Sequence, residues 1–413
     1  MTEYQFLSGK KGRILFGFCL FVLLLFSRDT LYTSTVLGFG PSQLIMYSVV
    51  GLLGIGFLTV NRKNWKSIVT DPRLLTAIPI TAIMVLPMVI KADWQTMYIS
   101  ILLCMYIAIF FSFFRSSREV ARCYVVILTS LAAYSLLAEY VLDPMVSAGW
   151  FSAPVIPYNE SRTFRGYLLS FVVKRKGYLR NYGIFREPGI YQFFLILGLY
   201  WNNYRLNWEK KWQFWTVNGI LAATMVSTFS TGGVIELALM AAVLFFEKKL
   251  YRDKRIVAAL IACGVLGVAV VVYSIVRHNA LYGALSTMVK KLFVINDSSG
   301  SRYEAIATDL RIFLENPLFG ANFAETLYAV KHNTSSTLLL YAVYGILGGT
   351  LNVAGWAAMV WDRERSVLLN GMLVLIMLMA INTQNFTVNV FFWLFPTMAL
   401  VERAGQLLEK RRK

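Results

Sequence analysis

LIMYSVVGLLGIGFLTV, residues 44 to 60, decides the fold class, because its seventeen positions contain no charged side chain. The hydrocarbon core of a bilayer is about 30 Å thick, so a helix needs about 20 apolar residues to cross it. Of the 413 residues in the chain, 57% are hydrophobic and 15% are charged. This composition lies outside the range of soluble domains and predicts a membrane protein.

Similar apolar runs recur along the whole chain. Lipid offers backbone groups no hydrogen-bond partner, so each run must be a helix. The pattern predicts an all-α polytopic protein, one integral membrane domain over residues 1–413, with about twelve transmembrane helices. The runs are 14–26, 44–60, 74–90, 97–114, 122–142, 189–204, 213–230, 232–247, 256–276, 335–361, 366–382 and 389–402.

The orientation follows from lysine and arginine, which cluster at every second connection, as at 62–66, 115–122 and 410–413. Basic residues favour the cytoplasmic side. Both termini are therefore predicted to be cytoplasmic, and the first run is predicted to be an anchor because no small-residue cleavage site follows it.

Two long connections then face outward, 143–188 and 278–334, and we expect short helices in both. The first outer loop (143–188) has seven basic residues against three acidic ones, a surplus of four on the side where basic residues are uncommon. An anionic ligand explains this surplus, and binding of lipid headgroups explains the run at 174–176 equally well. The interleaved aromatics indicate a segment at the membrane interface; they are Trp150, Phe151, Phe164, Tyr167, Phe171 and Tyr178.

The first outer loop ends in GIFREPGIYQ, residues 183 to 192. Pro188 suits the first turn of the following helix. It therefore fixes the position of Arg186 and Glu187 directly before the start of that helix. We expect Arg186 to bind an anionic group, whereas Glu187 is either a base or a residue that orients the arginine. Two further acids lie in apolar runs: Glu139, close enough to the outer surface to be solvated, and Glu236, which is intramembrane and has no assigned role.

The second outer loop (278–334) contains SSGSRYEAIATDLRIFLENPLFG. Ser301 and Glu304 form a capping box, which places Arg302 at a helix N-terminus suited to phosphate, or on a plain surface helix. Tyr303, Ile306, Leu310 and Phe313 form one apolar stripe. His332, one of two histidines, lies just before the next apolar run, where an imidazole can accept a proton from a sugar hydroxyl.

Several motifs are absent from the sequence, namely the P-loop, GxGxxG after a strand, HExxH, GxSxG and DxD. Without DxD, a sugar nucleotide held through a metal is not the expected donor. The four cysteines are scattered within apolar runs, as packing residues are. We therefore predict no metal site and no cofactor.

The order of motifs resembles the Wzy/WaaL superfamily of bacterial O-antigen and capsule polymerases and O-antigen ligases. A long outer loop ends in R-x-x-G-x-F-x-x-P, carried by Arg180, Gly183, Phe185 and Pro188, and a Ser- and Gly-rich turn follows. The second outer loop has SR, P-L-x-G and H-N ahead of a glycine-bearing helix. These motifs cover roughly residues 175–350, and the N-terminal third is similar only in hydropathy.

The resemblance implies a GT-C-like, metal-independent glycosyltransferase in the bacterial inner membrane whose donor is a glycan on undecaprenyl diphosphate. It assigns the phosphate to Arg180 and Arg302, at the periplasmic face, and the role of base to His332. Two motifs depart from the family. STFSTGG (227–233) lacks the arginine that many relatives carry after the serine, and PLFGANF lacks the second glycine.

We therefore predict a repeat-unit polymerase of lipopolysaccharide or capsule synthesis, because FREPG is more similar to polymerases than to ligases. Arg180, Arg186 and Arg302 hold the diphosphate in this hypothesis, and His332 or Glu187 accepts the proton. The expected partners are lipid-linked oligosaccharides, the bilayer and a chain-length regulator protein, with no nucleic acid. An O-antigen ligase acting on lipid A core and a flippase of lipid-linked glycans are the alternatives; a flippase needs cations along its bundle, and here they lie in loops.

Overall fold

The computed structural model describes residues 6, 9–159, 162–173, 180–278, 282–283, 286, 297–330 and 333–412. The structure is mostly helical, and every apolar run predicted to span the membrane is a helix. The α-helices are Gly9–Leu25 (α1), Phe39–Val60 (α2), Trp65–Val69 (α3), Pro72–Lys91 (α4), Thr96–Ser112 (α5), Ser117–Leu137 (α6), Asp143–Ser147 (α7), Pro188–Tyr204 (α8), Lys211–Ser227 (α9), Thr231–Glu247 (α10), Lys254–Arg277 (α11), Asp297–Glu315 (α12), Phe323–Tyr328 (α13), Ser336–Val360 (α14), Val367–Ile381 (α15) and Val390–Arg412 (α16).

Four helical segments of the described chain are long and apolar enough to cross a membrane: Phe39–Val60, Pro72–Lys91, Ser117–Ser147 and Ser336–Val360. Shorter apolar helices accompany them, such as Thr96–Ser112 and Val367–Ile381. These lengths agree with a polytopic membrane protein. The number of twelve spans stays a prediction.

The first outer loop contains a three-stranded antiparallel sheet, which the all-α prediction did not include. Its strands are Val155–Asn159 (β1), Arg162–Gly166 (β2) and Phe171–Val173 (β3), in the order β1-β2-β3. Phe164 pairs with Ile156 on one side and Val173 on the other. Strands this short give too few alternating positions for a period of two to stand out among the charges.

The sheet also changes the interpretation of the loop aromatics. Phe164, Tyr167 and Phe171 are buried, and Phe164 packs edge-on against Tyr182 with ring centroids 5.2 Å apart. Trp150 and Phe151 are exposed. Only these two keep the interfacial role among the described aromatics, since Tyr178 lies outside the described residues, as does the basic run at 174–176.

The chain divides into two compact units. The first unit comprises residues 1–127, 300–361 and 381–413, and the second comprises 128–299 and 362–380. In the second unit, α8 packs against both α9 and α10 and is buried on nearly all sides, as its largely apolar sequence requires. In the first unit, α16 packs against α4, α5 and α14.

Helix α14 is broken at Gly345, whose backbone (φ 66°, ψ −163°) is accessible only to glycine. The P-L-x-G motif fills the break: Ile346 donates its backbone N–H to the carbonyl of Pro317 (2.8 Å), and Ala321 donates to that of Ala342 (2.7 Å). A Cβ atom at Gly345 would lie 2.1 Å from the carbonyl oxygen of Leu318. The P-L-x-G motif is therefore the segment whose backbone enters the break in this long apolar helix.

The ammonium of Lys91, at the end of α4, completes the same break. Its Nζ atom donates to the carbonyl oxygens of Val343 (2.6 Å) and Ala321 (2.7 Å) and to the hydroxyl of Tyr98 (3.0 Å). Tyr98 in turn donates to Asp93, which also accepts the backbone N–H of Phe323. One carbonyl of the broken helix, that of Val343, and one of the inserted loop, that of Ala321, are thus bound by the same ammonium group.

Candidate functional site

Residues 180–187, the end of the first outer loop, are held rigidly in the second unit. Asn181 donates its backbone N–H to the carbonyl of Ser227 (2.9 Å) and its side-chain amide to Ser135 Oγ (3.0 Å). Its Oδ1 accepts the N–H of Gly183 (2.9 Å), which has a left-handed φ of 53°. A Cβ atom there would lie 2.7 Å from the ring of Tyr191. The motif glycine therefore permits close packing of the loop on α8.

Arg180 lies on the α9–α10 turn, residues 228–230. Its Nε atom donates to the carbonyl oxygen of Thr228 (3.1 Å), and Ser230 is the N-cap of α10. The backbone N–H groups at the start of a helix have no intrahelical acceptor and carry partial positive charge. A guanidinium and a helix N-terminus thus converge on one turn, an arrangement suited to a phosphate group.

This contact also offers a replacement for the arginine that the family motif has at the same turn and that this chain lacks. Thr231 stands where many relatives of the resembled superfamily carry an arginine after the serine. The structure brings Arg180 to this turn from the preceding loop. The turn therefore has a guanidinium beside it, although the motif itself lacks an arginine.

Arg186 and Glu187 are half-buried at the start of α8. Glu187 is the N-cap, with an extended backbone, and its carbonyl accepts the N–H groups of Ile190 (3.1 Å) and Tyr191 (3.2 Å). Phe185 stacks on Phe194 with ring centroids 4.4 Å apart. This packing fixes the backbone on either side of the two charged residues, and the choice between base and orienting residue for Glu187 stays a prediction.

Glu236 supports the α9–α10 turn from within the bundle. Its Oε1 atom accepts the amide of Gln192 (2.9 Å), whose Oε1 atom accepts the hydroxyl of Ser230. All three side chains are buried. Because Glu236 Oε1 accepts the NH₂ group of Gln192, the amide oxygen of Gln192 faces the N-cap residue. The buried acid thus positions the turn that holds Arg180.

We expect Glu236→Ala to lower the thermal midpoint of the detergent-solubilised protein, because the buried amide of Gln192 loses its acceptor, at a cost of about 1–3 kcal/mol. Glu236→Gln keeps an acceptor oxygen at the same position and is the matched control. We expect it to melt like the wild type in a fluorescence-detected melting curve. Equal melting of all three proteins would contradict the supporting role.

Glu139 is buried, with 8% of its surface exposed, so its predicted solvation is wrong. It lies in a π-helical segment, Ala138–Leu142, that continues α6. The loop folds back over this end of the helix: Ala138 packs with Tyr167 and Val172 of the sheet. The prediction failed because it counted residues from the membrane edge and did not include the sheet.

Another arginine of the first outer loop is engaged in structure. Arg165 donates to Asp143 (2.9 Å) and to Ser147 (2.8 Å), and Asp143 also accepts the hydroxyl of Tyr167 (2.7 Å). The hydrogen bond to Asp143 raises the pKa of Arg165. Part of the basic surplus that first indicated an anionic ligand is therefore neutralised within the loop.

The second outer loop differs from its prediction at the start of its helix. α12 begins at Asp297, so Ser301 is not its N-cap, and Arg302 lies in the second turn and is exposed. The run DSSGS offers several capping residues, and local preference does not choose among them. Arg302 loses the helix-terminus contribution to phosphate binding. His332 lies outside the described residues.

Asp309, which is fully buried, and the half-buried Asn333 form a hydrogen-bonded clamp in the first unit, and sequence patterns did not single out Asp309. Both carboxylate oxygens of Asp309 accept from Asn333 Nδ2 (2.8 and 2.9 Å). Asn333, the second residue of the H-N motif, also accepts the N–H of Ser335, which caps α14. Asp309 therefore fixes the chain at the residue that follows His332. An acid one helical turn from the apolar residues Ile306 and Phe313 is the sequence signal that marks it.

Burial raises the pKa of the Asp309 carboxyl to about 7, and the hydrogen bonds from Asn333 lower it in part. An unfolded aspartate titrates at about 4, so between about pH 4 and 7 the folded protein holds a proton that the unfolded chain has lost. The stability from this proton is fully present below pH 4 and is lost as the pH rises through about 7.

We therefore expect the thermal midpoint of the wild type to fall relative to that of Asp309→Asn as the pH rises from about 5 to 8, since the variant does not titrate. Melting curves across this range measure the difference. Glu304→Gln removes an exposed acid of the same helix and keeps Asp309. The difference in thermal midpoint between the wild type and Glu304→Gln should therefore not change with pH. Parallel curves for the wild type and Asp309→Asn would refute the assignment.

Comparison with known protein families gives one match. Residues 216–353 match the Wzy_C family model, described as O-antigen ligase. No curated protein and no solved structure matches the chain. The matched segment includes the α9–α10 turn, Arg302, Asp309, the P-L-x-G motif and the broken part of α14, and it excludes residues 180–187.

This family covers proteins of the O-antigen ligase and polymerase kind, which indicates a glycosyltransferase- or ligase-type activity. The apolar helices and the family match together indicate a membrane protein of polysaccharide or lipopolysaccharide biosynthesis. The match of residues 216–353 to the Wzy_C model is consistent with the Wzy/WaaL superfamily that the loop motifs resemble.

Proposed function

We propose that this protein polymerises oligosaccharide repeat units carried on undecaprenyl diphosphate, at the periplasmic face of the bacterial inner membrane. The position of Arg180 carries the proposal, because its guanidinium is bound to the turn that begins α10. This arrangement suits a diphosphate, which is the leaving group of such a donor. The orientation, with twelve spans, a GT-C-like bundle and both termini cytoplasmic, is part of the proposal.

The reaction breaks the bond between the anomeric carbon of the donor glycan and the diphosphate oxygen. A new bond forms between that carbon and a hydroxyl oxygen of the acceptor repeat unit, and the hydroxyl proton passes to a base. Negative charge develops on the departing diphosphate, and Arg180, Arg186 and Arg302 are the groups that we propose to stabilise it. One guanidinium group can bind two phosphate oxygens at once. Such hydrogen bonds can supply the charge stabilisation that a metal ion supplies in other transferases.

The base is either His332 or Glu187. His332 follows from the family resemblance, and Glu187 from its place beside Arg186 in the segment that also holds Arg180. The clamp between Asp309 and Asn333 supports the first choice, because it fixes the chain beside His332. A chain-length regulator protein is the proposed partner.

O-antigen ligase is the second candidate, favoured by the description of the matching family. The deciding experiment incubates the purified protein with a defined undecaprenyl-diphosphate repeat unit and EDTA, with and without lipid A core. A ladder of lipid-linked products supports the polymerase, whereas one product on lipid A core supports the ligase. If no product forms from a substrate that a known polymerase extends, both the polymerase and the ligase hypotheses are wrong.

A further inference from the structure

The apolar side of α12 faces away from the protein. Tyr303 and Leu314 are 67% and 66% exposed, and Ile306 and Leu310 are 43% and 44% exposed. The side of the helix that packs on the protein carries Ala305 and Asp309, which are both fully buried. A surface helix in water buries its apolar side and exposes its polar side. α12 exposes its polar residues Glu304 and Glu315 but leaves the apolar stripe outward as well, so this stripe does not suit water.

Two arginines border this stripe. At about 100° per residue, Arg302 lies beside the edge formed by Ile306, and Arg311 lies beyond the opposite edge. Both arginines are exposed. Arginine side chains can lay their methylene groups along an apolar surface and extend the guanidinium to its polar boundary. An apolar stripe between two cationic borders is the pattern of a helix lying in a membrane interface.

The packing of α12 places it at the depth of that interface. Phe313 packs edge-on against Tyr341 with ring centroids 5.2 Å apart. Tyr341 lies in the second turn of α14, a helix long and apolar enough to cross the membrane. The C-terminal half of α12 therefore lies beside one end of a candidate span, where hydrocarbon gives way to headgroups.

We propose that α12 lies in the interface of the bilayer, with the stripe in the acyl region and the two arginines against anionic headgroups. This inference stands apart from the proposed reaction. Where that reaction holds, it supplies a reason for the orientation of the helix, because Arg302 is then at the depth of the phosphates of a lipid-linked substrate.

The test measures how deeply each side of α12 enters the bilayer. The full chain, with its four native cysteines changed to alanine, carries one spin label at Tyr303→Cys or Leu314→Cys, or at the exposed control positions Glu304→Cys and Glu315→Cys. Each variant is placed in vesicles of phosphatidylethanolamine and phosphatidylglycerol. Relaxation by molecular oxygen, which concentrates in acyl chains, is compared with relaxation by a water-soluble nickel chelate.

We expect the ratio of oxygen to nickel accessibility to be several-fold higher at 303 and 314 than at 304 and 315. Ratios equal to the control positions would show that the stripe faces water and would overturn the proposal. Shielding from both reagents would show that protein covers the stripe, as in a complex with a second copy, and would overturn it equally. A monodisperse elution profile for each variant establishes that it is folded.

Discussion

Arg180→Ala is expected to reduce the rate of glycan transfer by about 10²–10³-fold, the usual cost of removing one donor that stabilises developing negative charge. The initial rate of ladder formation from a defined lipid-linked repeat unit measures the effect. Arg180→Lys should recover little, because a lysine has no Nε–H to bind the carbonyl of Thr228 while its remaining donors face a phosphate.

Arg165→Ala is the matched control, because it removes the same charge from the same loop. Arg165 is bound to Asp143 and Ser147, so we expect its loss to affect the sheet more than the transfer rate. Arg186→Ala and His332→Ala should also abolish the ladder while the protein still inserts. Full-length ladders from Arg180→Ala would show that Arg180 does not stabilise the diphosphate, and would contradict the proposed site.

Gly345→Ala is expected to prevent folding or to destabilise the protein by about 3 kcal/mol or more, because the backbone of this residue lies where side chains are strained. The added Cβ atom would also lie 2.1 Å from the carbonyl oxygen of Leu318. The atoms it would meet belong to the backbone of Leu318 and Phe319, which cannot move aside as a flexible side chain can. Gly320→Ala should behave in the same way, with a φ of 70° and a contact of 2.3 Å to the carbonyl carbon of Val343.

Gly371→Ala separates this effect from the loss of any glycine. A Cβ atom at Gly371, in α15, would meet nothing within 4 Å, so alanine should be neutral or stabilise the helix by up to about 1 kcal/mol. Yield and thermal midpoint by fluorescence-detected size exclusion compare the three variants with the wild type. A Gly345→Ala protein as stable as Gly371→Ala would show that α14 does not need its break.

The helices could be predicted from the sequence because the requirement is local. A run such as LIMYSVVGLLGIGFLTV has no structure but a helix available in lipid, and α2 covers the whole of it. The motif positions Gly183 and Gly320 could be identified through the family resemblance, but not the contacts that require them. Those contacts depend on tertiary packing, as of Gly183 on Tyr191 and of Gly320 on Val343.

The parts that could not be predicted depend on tertiary structure. The burial of Glu139 requires the sheet, and the contact between Arg180 and Thr228 joins residues 48 positions apart. The stripe on α12 was predicted correctly as a helical pattern, but the pattern does not say which side faces the protein. In a membrane protein, the usual rule that the apolar side faces inward does not hold at the lipid boundary.

The ammonium of Lys91 limits how far the matched family segment can be regarded as a module. Residues 216–353 include the broken helix, but the cation that binds its carbonyls comes from α4, outside that segment. A chimera with residues 216–353 in another membrane protein would contain the break in α14 but would lack the Lys91 ammonium that binds the carbonyls there. Exchange of this segment between relatives therefore requires a host that provides a cation at the same depth.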